Sequence, residues 1–443
     1  MFFIKKFILK QIFDIKTYGI RELFRKFYLL LKYIVMIPLY INAILLCALI
    51  RLISPWLIIR ILKLPAGNFG DFITITSVFY CKKKLNIDQP KKKYLDLVYI
   101  PFHNKTYNKQ LEKMFKRKLN FLSGYLLHPI SKVNTLIPGG EIHSLNDLYL
   151  RSKRVRNFDN LLETCKPLEF IDKEEIYGRK MLKKFGLKDE DKFVCFDVRD
   201  GAYQLQKIPK RFRDWSIMDY RHTDINKFVL AAEELTQRGY YVFRMGVAAE
   251  KPFISNNPKI IDYANSNFRS DFMDIYLGAK CSFCITTGTG FQDLPTLFKK
   301  PTGQIYTPVG EFFTYSERFI HITKHHILKK EKRELPLSEI FSLGAAYALY
   351  SEFYEQKGIE LVENTQEEIK DLALEVADYF ESKRKLNPED EKLKSTFRSL
   401  YASKYKNIDY QKITNDHEHT ILHGQIKSSI SLKFLKQNKS WLQ

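Results

Sequence analysis

Phe193-Val194-Cys195-Phe196-Asp197-Val198-Arg199 is an apolar run closed by a carboxylate and a guanidinium. A strand that is apolar at successive positions, not at alternate ones, belongs to a sheet covered on both faces, and such sheets are parallel. The next segments keep that rhythm. Asp224 stands where it caps a helix carrying Ile225, Phe228, Val229, Ala232 and Leu235 at helical spacing, and Gly239 stands where that helix ends. Tyr240 to Met245 reads as the next strand and Ile260-Ile261 as a short one. Ser270 opens a helix through Phe272, Met273, Tyr276 and Leu277, and Ser282 to Thr286 is again a strand. Strands alternating with short helices predict a doubly wound α/β sheet.

Upstream, the charged run 188–192 marks a domain boundary. Ile61 to Leu64, the turn Gly67-Asn68-Phe69-Gly70-Asp71 and the apolar stretch Phe72 to Tyr80 read as strand, glycine turn and helix. Leu95 to Pro101 is a second strand, Asn108 to Leu119 a basic helix, and a helix from Glu174 ends near Gly186. Beyond Leu335 the pattern turns helical, with Thr365 and Glu368 spaced as a capping box. Four parts result: 1–63, 64–190, 191–335 and a helical, lysine-rich extension over 336–443.

The chain of 443 residues carries 72 Lys+Arg against 50 Asp+Glu, a net +22. Residues 1–65 hold 11 basic and 2 acidic side chains, and these flank 18 uncharged residues from Tyr33 to Ile50. Basic residues bordering an apolar segment point to an anionic lipid surface; a nucleic-acid footprint is a basic face on a folded module, so no nucleic-acid partner is expected. Pro38, Asn42, Arg51 and Ser54-Pro55 interrupt the segment, which favours a membrane-associated stretch lying at the interface over a span. Cys281 and Cys284 fall in an apolar strand pattern and read as buried thiols, which agrees with a reducing, cytoplasmic compartment.

The stretch most suggestive of chemistry is Thr286-Thr287-Gly288-Thr289-Gly290, a loop between an apolar strand and a helix. Its hydroxyls and backbone N–H groups, with the helix N-terminus, suit a diphosphate. No Gly-Lys-Ser/Thr follows, so it is not a Walker loop. Arg199, followed by Asp200, and Arg244 sit at two strand ends of the same sheet, where guanidinium groups bind phosphate bidentately. Tyr220 and Arg221 lie within reach of a base or a sugar, while Asp224 serves first as a cap. His321, His325 and His326 lack metal-ligand spacing, and no D-x-D closes a strand, so no metal site and no cofactor are expected.

These residues, in order, resemble a family of bacterial glycosyltransferases of surface-polysaccharide and O-antigen clusters. The likeness runs through Val194 to Asp200 with Tyr203, Tyr220 to Ile225, Arg244-Met245-Gly246, Ile261 to Ala264, Phe272 to Leu277, and Thr286 to Gly290, covering roughly residues 190–330. Asp197 stands where the family pattern has His, and His222 where it has Asn. The resemblance implies a GT-B-like pair of Rossmann-type domains, 64–190 for the acceptor and 191–335 for a nucleotide-sugar donor that is substrate, not cofactor. Donor contacts then fall to Arg199, Asp200, Tyr203, Tyr220, Arg221, Arg244 and 286–290. The glycine turn also resembles the first-strand loop of heptosyltransferase-type enzymes, which implies Asp71 as catalytic base beside Arg199. The expected acceptor is a lipid-linked oligosaccharide, and the expected location is the cytoplasmic face of the bacterial inner membrane. Two rivals stay open: pyruvyl or glycerol-phosphate transfer on a similar scaffold, and an inactive membrane-bound scaffold of the same pathway.

Overall fold

The computed structural model describes residue 15 and residues 19–102, 106–145, 164–207, 214–311, 316–383, 385–406 and 428–443. The chain divides into two compact units, Met1–Leu64 with Pro90–Asn104 and Asn120–Asn146 in one, and Pro65–Gln89 with Lys105–Leu119 and Asp147–Gln443 in the other.

In the first unit a long helix, Ile20–Ile53, leads into two parallel strands, β1 (Ile58–Lys63) and β2 (Tyr94–Tyr99). Arg60 and Asp96 face each other in register and form a buried ion pair at 2.6 Å. Among the described residues the sheet continues beyond these strands as single bridges, Ile61 to Ser144 on one side and Val98 to Phe121 on the other. Over its described residues this unit holds two paired parallel strands, with β1 lying ahead of the boundary expected at residue 64. A small core of Ala43, Cys47, Ile61, Tyr99, Leu127 and Ile130 joins the long helix to the strands and to the helix Gly124–Asn134.

The second unit holds a seven-stranded sheet, all parallel, in the order β12-β8-β7-β6-β3-β4-β5. Its strands are β3 (Lys192–Asp197), β4 (Tyr240–Arg244), β5 (Ile260–Ile261), β6 (Cys284–Thr286), β7 (Thr302–Ile305), β8 (Phe319–Ile322) and β12 (Ser429–Ile430). The six strands β3 to β8 follow the 3-2-1-4-5-6 order of Rossmann sheets, so the strand order reverses between β3 and β6. The apolar run is explained directly. Val194 and Phe196 enter one core, with the helices Val229–Gln237 and Gln366–Phe380, while Phe193 and Cys195 enter the opposite core, with Asp271–Lys280 and Asp172–Lys184. All six cysteines are free and buried.

The local signals hold. Asp224, Ser270 and Thr365 each cap through the side chain, Gly239 takes φ +89°, and Glu368 completes the capping box of Gln366–Phe380. Two expectations about boundaries need correction. The helix Phe69–Lys84 belongs to the second unit, where Phe72 packs on Phe115 and Thr74 donates to Asp293 at 2.9 Å. Eleven of its 16 residues are buried, so it draws its packing from all sides and not from one apolar stripe. The described residues of 336–443 are likewise no appendage. Leu337, Ile340, Val376, Phe397 and Trp441 share one core with Val194 and Ile285, and β12 extends the main sheet. The remaining strands, β9 (His325–Leu328), β10 (Arg333–Glu334) and β11 (Ile359–Val362), form a separate antiparallel sheet. The basic stretch 151–156 and residues 407–427 of the lysine-rich tail lie outside the described residues.

Candidate functional site

Parallel α/β sheets bind ligands in the crevice beyond the carboxyl ends of the strands where the order reverses. Here that point lies between β3 and β6, with Asp197 and Thr286 opposite each other in register. Asp197 is buried at 4% exposure, and its Oδ2 accepts from Thr286 Oγ1 at 2.9 Å and Thr289 Oγ1 at 2.5 Å. Burial pushes this carboxyl up to about 6 despite those two donors and the nearby charges of Arg199 and Arg244. The Arg199 backbone N–H donates to Thr287 Oγ1 at 2.7 Å, and the Thr287 N–H to the Asp197 carbonyl at 3.0 Å.

This lacing changes the expected role of the loop. Two of the three threonine hydroxyls anticipated as ligands to an anion, those of Thr286 and Thr289, donate to the Asp197 carboxylate, and the third, on Thr287, accepts from the Arg199 backbone, so the ends of β3 and β6 are stitched together. The N–H groups of Gly288 and Phe291 are also used inside the loop, on Thr286 and Thr289. Those of Thr289 and Gly290 have no hydrogen-bond acceptor among the described residues.

Two guanidinium groups meet beside the loop. Arg199 makes no ion pair with a carboxylate among the described residues, and its Nε is buried without a partner. Gln204, with its amide turned to suit both neighbours, accepts from Arg199 and donates to the Asp200 carbonyl. Burial first, and the charge of Arg221 second, bring the Arg199 guanidinium down to about 10. Arg221 ends the 3₁₀ helix Ser216–Arg221, donates to the Gly288 carbonyl and lies over the Tyr306 ring at 5.3 Å. Gly288 has φ +79°, and a Cβ there would strike Tyr306 at 2.4 Å, so glycine is required twice over. Like charges held together at a strand-order reversal make a site for an anion.

The glycine turn joins this edge from the other direction. A Cβ on Gly70 would lie 2.7 Å from Asp293 Oδ2 and 3.0 Å from Gly290 Cα, so the start of the helix Phe69–Lys84 abuts the 286–290 loop. Asp71 sits in the first turn of that helix and accepts from Asn68 Nδ2 at 3.3 Å. Phe69 stacks on Phe291 and lies tilted against Tyr107, and Tyr107 meets Tyr203 edge-on at 5.6 Å. Burial raises the phenol pKa of both tyrosines.

Other residues expected at the donor site have partners within the fold. Arg244 is 1% exposed and shared between Asp200 and Asp262, each at 3.3 Å, so its charge is matched inside the fold. Asp200 is engaged likewise, accepting also from the N–H groups of Ala202 and Glu250. Tyr220 is buried against Tyr354 at 5.8 Å, with Arg199 as a neighbour. A strand-end arginine reads alike in sequence whether its partner is a ligand or a carboxylate of the fold.

No protein-family model matches the chain, and no curated protein matches it. Among solved structures, a glycosyl transferase family 9 protein from Veillonella parvula is 12% identical over 74% of this chain and 98% of its own, with a TM-score of 0.40. The ADP-heptose lipopolysaccharide heptosyltransferase II of E. coli is 14% identical over 72% and 99%, with a TM-score of 0.39. A second E. coli heptosyltransferase, solved with ADP-2-deoxy-2-fluoro heptose, is 11% identical over 60% and 93%, with a TM-score of 0.30. At these identities and scores no residue role is carried across.

Three residues of this edge escape the sequence reading. Lys324, two positions beyond β8, is 5% exposed, donates to the His222 carbonyl, and is brought down to about 8 by burial against the pull of Glu363. Its placement past a strand end is the same signal that singles out Arg199. Burial holds the pKa of His222 below its ordinary value, with Asp219 3.2 Å from Nδ1. Asp197 reads in sequence only as a departure from a family pattern; its tie to Thr286 and Thr289 bridges some ninety positions of chain.

Proposed function

We propose that this chain is a metal-independent glycosyltransferase that moves a sugar from a nucleotide-sugar donor to a lipid-linked glycan acceptor in bacterial surface-polysaccharide synthesis, working at the cytoplasmic face of the inner membrane. The observation that carries the reading is the pair Arg199 and Arg221 at the strand-order reversal, beside a loop whose Thr289 and Gly290 N–H groups remain for a ligand. The donor diphosphate lies against these groups. In the transfer, the bond from the anomeric carbon to the diphosphate oxygen breaks with its electron pair leaving on the nucleoside diphosphate. The two guanidinium groups stabilise the charge that develops there, the role a metal ion plays in other transferases. Asp71, at the neighbouring helix start, takes the proton of the attacking acceptor hydroxyl in an inverting reaction.

The test incubates the full chain with a panel of nucleotide sugars and measures released nucleoside diphosphate, alongside a thermal-shift screen of the same panel. Stabilisation by one donor class, and release that Arg199→Ala abolishes, is the expected result. If no nucleotide sugar stabilises the protein, the reading fails in favour of an inactive scaffold. Release of pyruvate-derived or glycerol-phosphate products from other activated donors would move it to the other transferase class.

A further inference from the structure

We propose that the helix Ile20–Ile53 lies in the plane of an anionic bilayer surface, with one apolar face immersed, and does not cross the membrane. The inference concerns the first unit alone and holds whether or not the chain transfers sugars.

By composition this helix passes as a span: Ile34–Ile53 has mean hydropathy 2.2 over 20 residues. Its packing excludes that placement. Ala43 and Cys47, near the middle of this stretch, are 1% and 0% exposed, sealed in a core with Ile61 of β1 and Tyr99 of β2. A crossing would carry these strands to the bilayer midplane. They form a two-stranded sheet whose outer edges, among the described residues, make single bridges, and it contains the Arg60–Asp96 ion pair. Open strand edges do not exist in hydrocarbon, where each unpaired backbone group costs several kcal/mol.

The opposite face is the one that meets lipid. Phe24, Phe27, Leu31, Ile41, Leu45 and Leu52 recur at helical spacing, and each is 45% to 68% exposed. The stripe they form runs for about 40 Å at 1.5 Å per residue, longer than the roughly 30 Å of bilayer hydrocarbon but no obstacle to a helix lying flat. Trp56, 73% exposed just past the helix end, is the residue type that settles at the headgroup level. The occupant is set by charge: residues 1–32 contain Lys5, Lys6, Lys10, Lys16, Arg21, Arg25, Lys26 and Lys32 against Asp14 and Glu22. A basic segment continuous with an apolar stripe matches an anionic lipid surface, whereas a second copy of the chain would bring the same positive charge to the interface.

Two measurements on the full chain test this. In flotation assays the protein is expected to rise with phosphatidylglycerol–phosphatidylcholine vesicles and much less with phosphatidylcholine alone. Phe24→Asp with Leu45→Asp should lower the vesicle-bound fraction about tenfold or more. Ile176→Asp, an exposed position of the other unit, should leave it unchanged. Circular dichroism checks that each variant folds. Failure to float, flotation untouched by the double variant, or loss of a dimer in place of loss of flotation would overturn the proposal. For orientation, Ile20→Cys and Trp56→Cys are labelled separately in spheroplasts with a membrane-impermeant maleimide, against a background of buried native cysteines. Both should react only after lysis with detergent. Labelling of either end in intact spheroplasts sinks the in-plane arrangement.

Discussion

Gly70 and Gly290 meet backbone to backbone: a Cβ on Gly290 would lie 2.9 Å from the Gly70 nitrogen, and one on Gly70 would lie 3.0 Å from the Gly290 Cα. Neither contact offers a flexible side chain that yields. Gly290→Ala is therefore expected to cost about 1–3 kcal/mol of stability, as overpacking does, and to weaken donor binding by displacing the loop. Gly67→Ala, with nothing within 4 Å of the new methyl, should be neutral. Chemical denaturation of both variants, with donor affinity measured in parallel, checks the pair; wild-type behaviour of Gly290→Ala would remove the close approach from the account.

The two strand-end arginines predict opposite phenotypes. Arg199→Ala should leave stability nearly unchanged and reduce kcat/KM by roughly 10²–10³-fold, the range seen when a charge-stabilising donor is removed. Arg199→Lys should recover only part, since an ammonium does not reproduce a bidentate fork. Arg244→Met strands Asp200 and Asp262 without their cation and should cost about 3 kcal/mol of stability. Urea denaturation and steady-state kinetics on the same three variants separate the roles. Loss of donor binding in a fully stable Arg244→Met would return that residue to the site.

Asp197 gives a pH signature. Its carboxyl is raised to about 6 in the fold, above the value near 4 of an unfolded chain, so the native state binds more protons between those limits. The stability contribution is present below about 4 and is lost as pH climbs through about 6. Asp274, also raised to about 6 by burial, acts in the same direction. Asp197→Asn keeps an oxygen for Thr286 and Thr289 but no longer titrates, so stability should fall less steeply across this window. Superimposable pH profiles for wild type and variant would refute the assignment.

His325 predicts the alkaline side. Its ring nitrogens lie 2.6 Å from Glu334 and 3.0 Å from Glu368, and these carboxylates raise the imidazole to about 10. The pair's contribution is fully present below about 6.5 and is lost as pH rises through about 10. His325→Gln should destabilise the protein at neutral pH and converge with wild type above that window. A constant difference from about pH 6 to about pH 11 would show packing, not charge, at work.

Much of the second unit is legible because its signals are local. Doubly apolar β3 announces a covered parallel strand, and Asp224, Ser270 and Thr365 mark helix starts by what a side chain two or three residues away from an amide can do. The position of Arg199 at a strand end is legible for the same reason. The partition of the chain is not. The helix Phe69–Lys84 and the strand Ser429–Ile430 join the second unit through residues hundreds of positions apart, such as Thr74 with Asp293 and Ile430 with His321.

By itself, then, the sequence determined where strands and helices form, which sheet type they build, and which edge of that sheet collects arginine, threonine and glycine. Tertiary structure decided how those groups are spent. It placed Asp197 to absorb the threonine hydroxyls, Asp200 and Asp262 to neutralise Arg244, and Arg221 to crowd Arg199. Periodicity and capping depend on neighbours within a few residues, whereas the partner of a buried charge is whatever distant segment the fold brings within hydrogen-bond reach.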